Sequence, residues 1–155
     1  MLVAGIDPGA NGAIAVLDSE NPDSVALLDL NKWSIYDTTQ WLYNHHVSAI
    51  WLESVHSLYG MSARSNFGFG RNFGIAFAMA KVGTSGGDVQ QVTPKTWQKF
   101  VNVTVKGKDI KKQVAEIATS LYPAANVYGK RGGLLDGRSD ALMIAHYGLK
   151  HLEDK

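Results

Sequence analysis

Two short apolar runs in this chain each end in a carboxylate, and a pair of aspartates opens a third. The run 2–6 leads into Asp7 and the run 49–52 into Glu53, while Asp136 and Asp140 precede the run 141–145. The first two runs are too short for independent helices and read as strands; the stretch ending in Glu53 is apolar enough to be buried on both faces. An acid that closes a buried strand is costly unless something pairs with it. Several such acids meeting at one sheet edge imply a bound cation, of which Mg²⁺ and Mn²⁺ are the obvious candidates, with a phosphodiester as the obvious substrate.

The rest of the pattern predicts an α/β chain. Strands are expected near 2–7, 13–18 and 24–30, joined by turns at 8–12 and 21–23, whose glycine, asparagine and proline favour chain reversal. Glycine and asparagine in the first turn accept positive φ, which supports a hairpin there. A helix is predicted over 37–46 with Asp37 or Thr38 as cap, then a strand over 47–53. The stretch 54–70 carries Gly, Ser and no clear period, and reads as a functional loop. A helix over 71–81 follows, where Gly74, Ala76, Ala78 and Ala80 would let another helix approach closely. A strand at 88–92, a short helix from Thr93-Pro94 to Phe100, an amphipathic helix over 109–121 and a last helix over 136–152 complete the order. With 155 residues and no internal repeat or linker, a single domain over 1–155 is expected.

Charge is sorted along the chain. Residues 1–60 hold seven acids and one base, residues 61–138 twelve bases and four acids. Lys95, Lys99, Lys106, Lys108, Lys111 and Lys112 crowd the centre of the basic part, with Arg64 and Arg71 before them and Lys130, Arg131 and Arg138 after. A basic field beside an acidic metal site suits a polyanion cut with the help of metal ions, although a solvated helix face gives the same pattern. The chain has no cysteine, which removes disulfides, thiolate zinc sites and cysteine nucleophiles. The absence of a signal-peptide pattern or long apolar stretch predicts a soluble, intracellular protein with no membrane partner.

The individual motifs differ in strength. Gly5-Ile6-Asp7-Pro8-Gly9 holds an acid rigidly at a strand end, but similar turns cradle phosphates in the larger actin and sugar-kinase folds. Asp136 and Asp140 stand at i, i+4 and share one face if the last helix begins by Asp136. Helix capping explains one such acid and leaves Asp140, ahead of an almost wholly apolar helix, unexplained. His45 and His46 are adjacent and point to different helix faces. His146 reads as a helix-face residue, and His56, three residues past Glu53, has only its position to recommend it. The four tryptophans read as core or interface. Phe67 and Phe69, between Arg64 and Arg71, are where aromatic rings could reach and stack on nucleic acid.

Taken in order, the strand ending in Asp7, the strand ending Trp51-Leu52-Glu53 and the closing stretch from Asp136 to Ala145 resemble the RuvC family of Holliday junction resolvases, within the ribonuclease H-like superfamily. The resemblance extends over nearly the whole chain and takes in Thr93-Pro94, Trp97 and Lys99 ahead of the Lys111-Lys112 helix. Small size and a divergent middle bring it nearer to phage members. It implies a ribonuclease H-like fold, a five-stranded mixed sheet with its first three strands antiparallel and helices around it. The implied activity is that of a homodimer that binds a four-way DNA junction and resolves it by paired symmetric nicks, in the service of DNA recombination. Asp7, Glu53, Asp136 and Asp140 are then the ligands of two Mg²⁺ or Mn²⁺ ions roughly 3.5–4 Å apart, with Asp7 between them. Lys99 and Lys111, or Lys112 in its place, resemble the basic residues near the scissile phosphate. Lys106 and Lys108 join Arg64, Arg71 and one of Phe67 and Phe69 on the DNA. The last two acids stand four residues apart where the common bacterial pattern has three, and both spacings keep one helical face. Cleavage of hybrid RNA–DNA, flaps or forks, and a non-catalytic nucleic-acid binding module, are the competing readings.

Overall fold

A computed structural model describes residues 1–56, 59–84 and 86–154. Five strands form one sheet in the order β3-β2-β1-β4-β5. They are β1 Leu2–Asp7, β2 Ala13–Asp18, β3 Val25–Asp29, β4 Ala49–Glu53 and β5 Asp88–Val92. The first three pair antiparallel, and β4 and β5 add in parallel on the other side of β1. The β1–β2 hairpin forms as predicted, but no residue between 8 and 12 has positive φ. Glycine is required at Gly12 because a Cβ there would lie 2.0 Å from the Asp7 carbonyl oxygen.

Strand alternation divides the side chains between two cores. Ala4, Ile6, Ile50 and Leu52 pack with Leu42, Ala76 and Met79 beneath helices α1 Ile35–Asn44 and α2 Ala63–Gly83. Val3, Ala13, Ala15 and Trp51 pack on the other face with α3 Pro94–Phe100, α4 Ile110–Leu121 and α5 Asp136–Glu153. Because Asp7 follows Val3 and Gly5 at a spacing of two, and Glu53 follows Trp51, both acids belong to the α5 face. Ile6 pairs with Leu52, so Asp7 and Glu53 stand one step beyond the same rung.

Helix α5 lies directly on the central strand. A Cβ on Gly5 would meet Ala145 N at 2.2 Å and Ala141 O at 2.3 Å, so only glycine permits this contact. Its first residue is Asp136, which puts Asp136 and Asp140 on successive turns beside the end of β1.

Three expectations are corrected. The first helix begins two residues earlier than predicted, because Ser34 is its cap and accepts the Asp37 N–H at 3.0 Å. It also stops before His45 and His46, which follow the last turn rather than facing apart on a helix; His46 has φ of 49°. Residues 63–70 are helix rather than loop. Ser62 caps α2 by accepting the Ser65 N–H at 3.1 Å, which offsets the weak helix preference of Gly68 and Gly70, while the later half of the helix is anchored on the core. Irregular backbone is confined to the residues before Ser62, and the part of the expected loop at 57 and 58 lies outside the described residues. In the small-residue stretch, Ala76 and Ala80 are buried and Gly83 meets Leu42, whereas Gly74 and Ala78 face outward.

Candidate active site

The four acids gather at the end of β1, with Asp7 on β1, Glu53 on β4 and both Asp136 and Asp140 on α5. Asp7 Oδ1 accepts the Gly9 N–H at 2.9 Å, so the turn that follows β1 fixes its carboxylate. Glu53 Oε1 accepts the indole N–H of Trp97 at 2.8 Å, and Trp97 is fully buried in α3. Asp136 is ion-paired with Lys111 from the first turn of α4. Asp140 follows one turn later on α5.

Burial and mutual repulsion dominate the electrostatics. Asp140 is pushed up to about 8, first by burial and then by the charges of Asp7, Glu53 and Asp136, with Lys111 in opposition. Glu53 rises to about 7, chiefly by burial, against the Trp97 hydrogen bond and with a contribution from Asp7. Burial also raises Asp7, partly offset by the Gly9 N–H. Lys111 is raised in turn, above all by its bond to Asp136 and further by Asp140 and Asp7. Lys111 is therefore the cation that Asp7, Asp136 and Asp140 share.

A second ion pair anchors the cluster from outside. Arg138 reaches Asp29 at the end of β3 through Nε at 2.6 Å and Nη2 at 2.9 Å, and Nη1 donates to the Asn126 carbonyl at 2.8 Å. This two-pronged contact ties the first turn of α5 to the sheet. The pair draws Asp29 down to about 2.

The residues expected to meet DNA are arranged less tightly. Phe69 lines a cavity of about 250 Å³ beside Asp7 and Glu53, together with His56 and Pro94. Phe67 is on the same helix but 75% exposed, and both rings stand on α2 rather than in a loop. Arg71 lines a neighbouring cavity with Gly9, Asn31 and Trp33, and Arg64 is exposed in the first turn of α2. Lys99 stands in the last turn of α3, and Lys106 and Lys108 stand exposed on the segment before α4. That segment is fixed by Gln113, whose Oε1 accepts the N–H groups of Thr104 at 2.9 Å and Val105 at 3.2 Å. Lys112 points to Glu116, 4.0 Å away, so Lys111 is the lysine brought to the acids.

Sequence reasoning found the turn through Gly9 that holds Asp7, but not Asp29, Arg138 or Gln113 as supports of the site, nor the Trp97 bond to Glu53. Of these only the Thr93-Pro94 cap followed by Trp97 carried a local signal. His146 is half-buried and bonded to the Tyr122 hydroxyl at 2.7 Å, away from the acids. Trp33, expected in a core or interface, is half exposed.

The donor chemistry fits a hard divalent cation, since four carboxylates meet where two of them are held near neutrality by burial and repulsion. Their oxygens do not form a ligand shell: among the described residues no group of three or more His, Asp and Glu is arranged to hold a metal ion. Lys111 takes up Asp136 instead.

The architecture is that of known solved structures. RuvC of Thermus thermophilus in complex with a Holliday junction substrate superposes with a TM-score of 0.64 at 16% identity, over 98% of this chain and 92% of that one. Another Thermus thermophilus RuvC structure gives 0.61 at 17% identity, over 97% of each chain. The chain has the fold of RuvC. The fowlpox virus resolvase with its substrate Holliday junction DNA gives 0.55 at 15% identity, over 98% of this chain and 99% of that one. The ribonuclease H-like architecture expected from the sequence, with its mixed five-stranded sheet, is therefore present. No protein-family model and no curated protein matches in sequence. Among the described residues no helix is long and apolar enough to cross a membrane.

Proposed function

We propose that this chain is a metal-dependent, structure-selective DNA endonuclease that resolves four-way junctions by paired symmetric nicks as a homodimer. The observation that carries this reading is the gathering of Asp7, Glu53, Asp136 and Asp140 at the end of the central strand, where Asp140 is pushed up to about 8 by burial and the other three charges. A protein retaining the fold only to bind DNA has no use for so costly a cluster. Two of the solved structures that share the fold hold Holliday junction DNA, which supports branched DNA as the partner.

In this reading Asp7, Glu53, Asp136 and Asp140 hold two Mg²⁺ or Mn²⁺ ions. Such ions supply an activated water and neutralise charge at the leaving oxygen. Asp7, immobilised by the Gly9 N–H, stands between the strand and helix ligands. Trp97 keeps Glu53 turned toward the cluster. Lys111 exchanges its bond with Asp136 for the phosphoryl oxygens, where charge builds up during attack. Arg64 and Arg71 on α2 and Lys99, Lys106, Lys108 and Lys112 near α3 and α4 hold the DNA backbone, and Phe67 and Phe69 meet its bases. Symmetric nicking requires two copies, and the outer face of α2 suits that role: Gly70 and Gly74 have nothing within 4 Å of where a Cβ would stand.

The test is cleavage of labelled four-way, flap, fork, duplex and RNA–DNA hybrid substrates with and without Mg²⁺ or Mn²⁺. Paired nicks in the four-way junction, abolished by Asp7→Asn with binding retained, are expected. Cleavage of the hybrid alone would move the assignment to ribonuclease H chemistry, and wild-type rates in Asp7→Asn would remove Asp7 from the site.

A further inference from the structure

Between α4 and α5 the chain makes a small hairpin that the site described so far does not use. Tyr128 bridges Leu134 in antiparallel fashion, the Leu135 N–H donates to the Val127 carbonyl at 2.9 Å, and the Gly129 N–H to the Gly133 carbonyl at 2.8 Å. Gly132, at φ of 79°, closes the tip and donates its N–H to the Gly129 carbonyl at 2.9 Å. The base is fixed as well: Val127 is fully buried, and Arg138 holds the Asn126 carbonyl while it pairs with Asp29. At the tip stand Lys130 and Arg131, both exposed, and neither side chain bonds to any described residue. Two unpaired cations are thus displayed on a tightly bonded turn to whose packing they add nothing.

Their position indicates a partner. Asp7 pairs with Ala13 and Ala13 with Asp29, so Asp29 ends β3 on the rung of Asp7, two strands away, or about 10 Å at the usual strand spacing. The Arg138–Asp29 contact therefore sets the hairpin beside the acids, on the β3 side of the sheet. A cleft of about 150 Å³ lined by Leu134 of the hairpin, Asn11 and Asn31 reaches Asp136. On this side Lys32 and Arg138 are both committed to Asp29, and Lys111 to Asp136. Lys130 and Arg131 are left to meet a polyanion, and the hairpin carries no acid to oppose one. Four carboxylates repel the backbone that has to lie across them, and cations just beyond the acids offset that repulsion. Arg131 stands five residues before Asp136, which bounds the separation of their backbones at about 17 Å. This is roughly five steps along a duplex strand.

We infer that the hairpin over 127–135 is a separate anchor for DNA, at which Lys130 and Arg131 hold backbone phosphates of the duplex arm that leaves the acids on the β3 side. The contact is to phosphates, so it fixes where that arm lies and reads no sequence. It rests on the nuclease reading above and adds to it a surface and the part of the substrate that the surface holds.

The experiment measures binding, so that it does not depend on cleavage. In the Asp7→Asn background, four-way junction affinity is followed by fluorescence anisotropy from about 50 to 200 mM salt. Three proteins are compared: the parent, Lys130→Ala with Arg131→Ala, and the charge-keeping pair Lys130→Arg with Arg131→Lys. Loss of two phosphate contacts should lower the slope of log affinity against log salt by about 2 and weaken binding roughly tenfold at the low-salt end. The charge-keeping pair should restore both. Single uncharged methylphosphonate linkages placed in turn along the arms then locate the contact on the DNA. The parent should lose affinity at one or two linkages within about five nucleotides of the nick made by the wild-type chain, and the double alanine variant should be indifferent at those linkages. An unchanged salt slope, or a linkage map that the alanine variant shares with the parent, would overturn the inference while leaving the nuclease reading intact. Failure of the parent to bind any branched DNA would remove both.

Discussion

The Trp97 indole donates to Glu53 across 44 residues of sequence, at 2.8 Å, from a fully buried ring. This bond opposes the burial that lifts Glu53 to about 7, because a donor to the charged form favours ionisation. Trp97→Phe keeps the ring and removes the donor, so Glu53 should ionise less readily still. The expected result is a Mg²⁺ requirement raised roughly tenfold at pH 7, in keeping with loss of a group that orients a metal ligand, and partial recovery as pH rises. An unchanged metal titration would show that the bond is only packing.

Lys111 has no comparable structural duty, being largely exposed apart from its bond to Asp136. Lys111→Met removes the charge that Asp7, Asp136 and Asp140 all feel. Cleavage at saturating metal should fall by roughly 10²-fold, as for loss of one preorganised group that stabilises charge, with junction affinity changed less than threefold. The check is single-turnover nicking beside anisotropy on the same DNA. Lys112→Met is the control, and equal losses from the two would end the distinction.

The cluster should also weaken the metal-free fold. Asp140 has its folded pKa raised to about 8 from 3.8. A carboxyl raised in this way favours folding while it is protonated, and that contribution drains away as pH climbs from about 4 through 8. At pH 7 Asp140→Asn should therefore stabilise the metal-free protein by on the order of 2 kcal/mol, a rise of several degrees in melting temperature. Mg²⁺ should raise the wild-type melting temperature and affect the variant less. A variant that melts lower than wild type would contradict this.

The opposite sign holds at Asp29. Arg138 draws its carboxyl down to about 2 from 3.8, so the pair stabilises the fold above about pH 4 and is lost as pH falls toward 2. Both side chains are mostly buried, at 11% and 19% exposure. Arg138→Ala leaves Asp29 with Lys32 alone and should cost about 3 kcal/mol at pH 7. It should also flatten the acid limb of the stability curve between pH 4 and 2. Urea melts across that range provide the comparison.

These supports explain what could be read from the sequence and what could not. Asp7 and Glu53 close apolar runs and Asp136 and Asp140 open one, so local pattern located all four acids and the order of the strands. Local pattern failed at α2, where glycines and serines suggested a loop. The decisive facts there are tertiary: Ser62 as cap, and Ala76, Met79 and Ala80 buried on the far half. The Asp29–Arg138 and Glu53–Trp97 bonds join residues 109 and 44 positions apart, and no spacing rule links such partners.

The placement of Asp140 depends finally on Gly5. A methyl group there would stand 2.2 Å from Ala145 N and 2.3 Å from Ala141 O, both backbone atoms of α5 that no rotamer can move aside. Gly5→Ala must therefore lift α5 off β1 along the stretch that carries Asp140, and it disturbs the core contacts of Ala141 and Ile144 as well. The expected cost is about 3 kcal/mol or more, in the range of overpacked cores. Nicking should be lost even at temperatures where circular dichroism reports a folded chain. DNA affinity should survive better, because the basic residues of α2 and of the segment before α4 do not rest on that contact. A folded Gly5→Ala protein with wild-type nicking would mean that Asp140 does not need the position β1 gives it.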